Sequence, residues 1–122
     1  MINKAYEILK ENPEKYYSQY DHMLVDEFQD VSESHINIIK QFFRNDSSTK
    51  LFCVGDDWQS IYSFQGSEPK YFIDFDDYFA TSAKTYLTEN FRSPKTVLDA
   101  GNQLIANNEN QISKTVNAQS GR

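Results

Sequence analysis

Two short apolar runs, each ending in a pair of acids, limit what this chain can fold into. Met23-Leu24-Val25 runs into Asp26-Glu27, and Leu51-Phe52-Cys53-Val54 runs into Gly55-Asp56-Asp57. Apolar runs of this length between polar flanks predict buried strands. Between them Ser32 or Ser34 can cap a helix whose stripe is His35, Ile36, Ile38, Ile39, Phe42 and Phe43, and residues 45–49 read as a loop. Strand, helix and strand at this spacing predict a βαβ unit, with parallel strands and a right-handed crossover. Both acidic tips then meet the same sheet edge, where open α/β sheets bind ligands.

Adjacent carboxylates at such an edge have two readings. One acid can hold magnesium through oxygen ligation while its neighbour orients or deprotonates a water. Alternatively both acids cap the next helix, whose N-terminal dipole favours negative charge.

Around this unit, Ile2, Ala5, Tyr6 and Leu9 fall at helical spacing and predict a helix over 2–11, and Asn12-Pro13 begins a further turn through Tyr16 and Tyr17. From Trp58 to Ser67, polar residues alternate with aromatic and apolar ones, and Gly66 closes a turn. A helix starting near Pro69 places Phe72, Phe75 and Phe79 on one face and Asp74, Asp76 and Asp77 largely on a solvated one. Lys84–Leu87 reads as a third strand. Ser93 before Pro94 reads as the cap of a last helix carrying Val97, Leu98, Gly101, Leu104 and Ile105. From Asn107 onward periodicity is lost, which predicts a disordered tail.

Composition narrows the function classes. A chain of 122 residues with 39% hydrophobic content has room for one modest core. It contains neither an apolar run of membrane-spanning length nor a signal-peptide pattern, so a cytoplasmic protein without membrane contact is expected. The formal net charge of -6 weighs against broad electrostatic binding to nucleic-acid phosphates, leaving stacking by the aromatic 15% as the route to such a ligand. Cys53 reads as a small buried hydrophobe, and neither His22 nor His35 has companions at metal-ligand spacing.

Three strand ends therefore carry chemistry in order: Val25-Asp26-Glu27-Phe28-Gln29-Asp30, then Val54 to Ser67, then Leu87-Thr88-Glu89-Asn90-Phe91-Arg92-Ser93. Together these resemble motifs II, III and IV of the UvrD/Rep family of superfamily 1 DNA helicases. The Asp56-Asp57-Trp58-Gln59 form of the second is similar to the helicase IV branch. The resemblance covers roughly Tyr20 to Asn108 and implies an α/β fold, a partial RecA-like P-loop NTPase domain with parallel strands and flanking helices. It also implies ATP and Mg2+ as cofactors and single-stranded DNA as a partner.

By the same resemblance Asp26 holds the metal, Glu27 positions the attacking water, and Gln59 senses the γ-phosphate. Arg92 supplies a guanidinium to that phosphate, and Phe91 stacks on adenine where the family usually has tyrosine. Phosphoryl transfer fits such a set, because it needs charge neutralisation and an in-line water more than covalent chemistry. Tyr62 and Phe64 match aromatics that meet single-stranded DNA, and a stacked base gains roughly 1–3 kcal/mol without sequence reading. Trp58 is expected to pack the loop.

Two departures from the family pattern stand out. Gln65 occupies a position where many relatives have arginine. No glycine is followed by Lys-Ser or Lys-Thr, so the loop that cradles β- and γ-phosphates is absent from this sequence. The expectation is a helicase fragment. Residues 1–108 would be the later part of the first motor domain, and 109–122 a tail leading toward further sequence, with the remaining motor domains as partners. An exposed sheet edge also offers a route to a homodimer of the fragment. The competing readings are a non-catalytic remnant that binds single-stranded DNA or a protein, and a metal-dependent nuclease built on Asp26 and Glu27. The nuclease reading leaves Gln59 and Arg92 without a role.

Overall fold

Strands β1 (His22–Val25) and β2 (Lys50–Cys53) pair in parallel, with His22 opposite Lys50 and Val25 opposite Cys53. This is the crossover pairing that the two apolar runs predict. The computed structural model describes residues 1–122 apart from 17–18, 44–47, 62, 64–65, 81 and 120–122. It forms two units, Met1–Asp74 and Phe75–Arg122.

In the first unit, helices α1 (Ile2–Glu11) and α2 (Pro13–Tyr16) precede β1, and α3 (Glu33–Gln41) joins β1 to β2. Helix α1 lies against α3. Leu9, Ile36 and Ile39 are buried, with Phe28, Val31 and Tyr71 completing the described apolar core. Each such side chain taken out of water contributes about 1.5–3 kcal/mol. Ser32 starts α3, and the His35 ring folds back on it: Nδ1 accepts the Ser32 amide at 3.2 Å and lies 2.9 Å from its hydroxyl. His35 is thus a capping group, a role its sequence position does not announce. Gly66, at φ +88, donates its amide to the Ser63 carbonyl at 2.9 Å and closes the turn expected there.

The strands are less buried than their composition suggests. Leu24 is 73% exposed and Phe52, opposite it in register, 61%. Alternate residues are half-buried, as expected when a sheet has one face covered.

The helix expected from Pro69 is two helices, α4 (Lys70–Ile73) and α5 (Phe75–Tyr78), broken at Asp74, whose φ of −100° and ψ of 38° leave the helical region. The predicted phenylalanine face is divided accordingly. Phe72 meets Phe28 at 6.2 Å between ring centroids within the first unit. Phe75 stacks on Phe79 at 4.7 Å within the second.

The second unit departs further from expectation. Lys84–Leu87 is not a strand, and Leu87 is 87% exposed. Thr85, Tyr86 and Leu87 favour strand, but they find no strand to pair with among the described residues, and extended backbone becomes sheet only against a partner. Pairing begins two residues later, where β3 (Glu89–Asn90) runs parallel to β4 (Asn117–Ala118). So the region after Asn107, expected to lack regular structure, contains a short strand. The Asn102 carboxamide helps hold it, donating to the Val116 carbonyl at 3.0 Å and accepting its amide at 3.4 Å. Asn102 belongs to α6 (Lys95–Ile105), which begins after Pro94 rather than after Ser93. The Ser93 amide is taken by Asn90 Oδ1 at 2.7 Å, which makes residues 90–93 a side-chain-closed turn. Helix α6 is amphipathic as predicted, yet none of its residues is buried, and Val97 and Leu104 are 58% and 76% exposed.

Candidate active site

The β1–β2 ladder continues past the strands themselves. The Val54 amide donates to Val25 O and the Phe28 amide to Val54 O, each at 2.9 Å. These bonds set the two acidic tips side by side. After Val25 the chain turns sharply: Asp26 Oδ1 accepts the Glu27 amide at 2.9 Å, and Glu27 adopts φ 49°, ψ 44°. It is the one non-glycine residue with positive φ among those described. That left-handed backbone costs roughly 1–2 kcal/mol for a residue with a Cβ. Such strain persists where surrounding structure enforces it, and it concentrates at functional sites.

The enforcement comes from the next turn. Phe28–Asp30 form a single 3-10 turn that sends Phe28 and Gln29 inward, 0% and 1% exposed. Both ends of the buried Gln29 carboxamide are used. Its Nε2 donates to Glu27 Oε2 at 2.8 Å and to Asp30 Oδ2 at 3.4 Å, and its Oε1 accepts the Asp56 amide at 3.0 Å. Asp56 in turn caps the second tip, a 3-10 turn over Asp57–Gln59. Its Oδ1 accepts the Trp58 amide at 3.2 Å and its Oδ2 accepts Gln59 Nε2 at 2.8 Å. One hydrogen-bonded path, Glu27 to Gln29 to Asp56 to Gln59, therefore crosses from the first tip to the second. Gly55 makes that crossing possible: a Cβ there would stand 2.7 Å from Gln29 Oε1 and 3.2 Å from the backbone nitrogens of Phe28 and Gln29.

Asp26, Glu27 and Gln59 are exposed at this rim. No cluster of three His, Cys, Asp or Glu side chains suited to a metal occurs among the described residues. Magnesium does not require one, since it is commonly held by one or two carboxylates with water and phosphate oxygens completing the shell. Asp26, exposed and with Oδ1 engaged by a backbone amide, fits that limited role. Burial pushes Cys53, on β2, up to about 12, so its thiolate is scarce at neutral pH.

Phe91 and Arg92 lie in the second unit, in the turn closed by Asn90. Phe91 is 68% exposed; Arg92 is exposed and donates its amide to Asn90 Oδ1 at 2.9 Å. Tyr62, Phe64 and Gln65 lie outside the described residues. Of the residues the sequence singles out, the structure thus brings Asp26, Glu27 and Gln59 to one rim of the first unit. Of the two groups that join them, sequence reasoning names Asp56 only as one of the acids at the second tip and gives Gln29 no role. The only signal for Gln29 is its place two residues after Glu27; that it points inward follows from the 3-10 turn, which composition does not announce.

The family described as UvrD/REP helicase N-terminal domain matches residues 1–80. That span includes both acidic tips and stops short of Leu87–Ser93. The chain is 32% identical over 118 residues to DNA helicase IV of Escherichia coli (strain K12), an alignment covering 97% of the chain and 17% of that protein. It is 36% identical over 116 residues to DNA helicase II of Rickettsia typhi, covering 90% of the chain and 17% of the relative. It is 32% identical over 110 residues to ATP-dependent DNA helicase PcrA of Staphylococcus aureus (strain Mu50), covering 89% and 15% respectively. The chain thus spans about a sixth of the length of these relatives. With the match extending over most of its length, and the two acidic tips inside it, the chain belongs to the UvrD/REP helicase family, in the region of the N-terminal domain.

Proposed function

We propose that this chain is the part of an ATP-dependent DNA helicase that activates water and senses the γ-phosphate. In this reading it lies in the later portion of a RecA-like first motor domain and carries motifs II, III and IV, and the resemblance of its Asp-Asp-Trp-Gln string supports a helicase IV-like branch. The hydrogen-bonded path from Glu27 to Gln59 carries the proposal, because it joins a strained carboxylate and an exposed amide donor at one rim. A carboxylate and a neutral donor so linked can serve opposite ends of one displacement, the attacking water and the phosphate it attacks.

The roles divide by chemistry. Asp26 holds magnesium, which when bound neutralises phosphate charge. Glu27 orients the attacking water and accepts its proton. Gln59 donates an amide hydrogen to a γ-phosphate oxygen that is present before hydrolysis and gone afterwards. Arg92 offers a planar guanidinium to the same phosphate, and Phe91 offers a ring to adenine. Tyr62 and Phe64 stack on bases of single-stranded DNA. The remaining motor domains, including a phosphate-gripping loop, come from the longer polypeptide. The exposed apolar side chains of Leu24, Phe52, Leu87, Val97 and Leu104 are surface for those domains to cover.

The test compares the 122-residue chain with a longer polypeptide that also contains a Gly-Lys-Ser/Thr loop. The longer protein is expected to hydrolyse ATP in response to single-stranded DNA, and Glu27→Gln to reduce this to a small residual rate. The short chain is expected to show no turnover. Magnesium-dependent hydrolysis by the short chain, lost on Glu27→Gln, would overturn the division of labour.

A further inference from the structure

We infer that Gln29 is a positioning residue for the water-activating carboxylate, and that it sets Glu27 in register with the loop carrying Gln59. The inference rests on the reading of Glu27 given above and concerns a side chain to which that reading assigns no role.

The geometry is specific. A glutamine with 1% of its surface exposed loses solvent at both ends of its amide, so each end needs a partner inside the protein. The ends find partners on different tips: Nε2 donates to Glu27 Oε2 at 2.8 Å and Oε1 accepts from the Asp56 amide at 3.0 Å. The left-handed backbone at Glu27 sets the direction in which its Cα–Cβ bond leaves the chain. The hydrogen bond from Gln29 to Oε2 then restricts the remaining side-chain torsions of a residue that is otherwise exposed at the rim. Holding a catalytic base in one orientation lowers the reorganisation needed in the transition state without changing ground-state binding. Asp56 relays the restraint outward, because its amide is held by Gln29 while its Oδ2 holds Gln59 Nε2 at 2.8 Å. Glu27 and Gln59 are therefore indexed to one buried amide.

The test is steady-state ATP hydrolysis by the full-length polypeptide that contains this segment. Gln29→Met, close in length and without hydrogen-bonding ends, is expected to lower kcat on the order of 10–100-fold, the range typical of groups that orient a ligating or catalytic side chain. KM for ATP should stay nearly constant. Gln29→Glu keeps an acceptor for the Asp56 amide but removes the donor to Glu27, and should also lose kcat. In a Glu27→Gln background, Gln29→Met should produce no further loss, because the group it orients is already gone.

A merely structural role predicts otherwise. If Gln29→Met lowers thermal stability while kcat per folded molecule is unchanged, or if its effect multiplies with that of Glu27→Gln, the inference is wrong. If only Gln29→Met, and not Gln29→Glu, lowers kcat, the Asp56 tie matters and the orientation of Glu27 does not, which also overturns it. If Glu27→Gln itself leaves hydrolysis intact, it is the underlying assignment of Glu27 that fails.

Discussion

Phe28 packs its ring 6.2 Å from that of Phe72, the two planes tilted by 51°, and has no exposed surface. The residue following the acid pair is therefore an anchor that fastens the rim to α4. Phe28→Ala is expected to destabilise the first unit by about 3–5 kcal/mol, the usual range for truncating a buried phenylalanine. Urea unfolding followed by circular dichroism measures this. A loss below about 1 kcal/mol would mean that the rim is not held through its core.

Gly55→Ala tests the close approach of the two tips. The added methyl would meet Gln29 Oε1 at 2.7 Å, and that oxygen has little freedom because it is buried and accepts from Asp56. Overpacking of this kind costs typically 1–3 kcal/mol. The same urea experiment should register the loss, and ATP turnover by the longer protein should fall with it. A variant with unchanged stability and turnover would show that Gln29 can move aside freely.

The second unit offers a pH test. Lys84 Nζ reaches Asp76 Oδ2 at 2.6 Å, and the Ser82 hydroxyl and amide reach Oδ1 at 2.8 and 3.0 Å. The Lys84 hydrogen bond, followed by that from Ser82, holds the Asp76 carboxyl below its ordinary value of 3.8. The same pairing raises Lys84 above 10.5. For a carboxyl lowered on folding, the stabilisation is present above the unfolded value and is lost as pH falls through the folded one. This contribution should therefore fade only below pH 3.8. Carbon NMR titration of Asp76 should show its midpoint rising toward 3.8 in Lys84→Ala. An unmoved midpoint would rule the lysine out as the cause.

Cys53 gives a chemical probe of β2. With burial raising its thiol to about 12, alkylation by iodoacetamide at pH 8 should be far slower in the folded chain than in urea. Mass spectrometry of timed samples reads the rate. Equal rates would place the thiol in water, and the strand with it.

Much of the first unit was legible because its signals are local. Met23–Val25 and Leu51–Val54 are apolar runs of strand length with a helical stripe between them, and the parallel pairing follows from connection length alone. What escaped depends on neighbours. Lys84–Leu87 has strand composition, but pairing starts only at Glu89, where Asn117 supplies a partner. Asp74 interrupts a stripe of phenylalanines that periodicity alone would join. At the candidate site the end groups Asp26, Glu27 and Gln59 were legible as reactive types at strand ends. Gln29 and Asp56 were not, because a joining role depends on which way a side chain points after a 3-10 turn.

The two amide bonds that extend the ladder, Val54 to Val25 and Phe28 to Val54, lie at the end of the sheet nearest the reactive groups. One of those amides belongs to Phe28, which is fully buried, so warming should not part the tips before it loosens the core formed with Ile36 and Ile39. Under the function proposed above, ATP turnover by the longer protein should then fade in step with the melting of this unit, and not at a lower temperature.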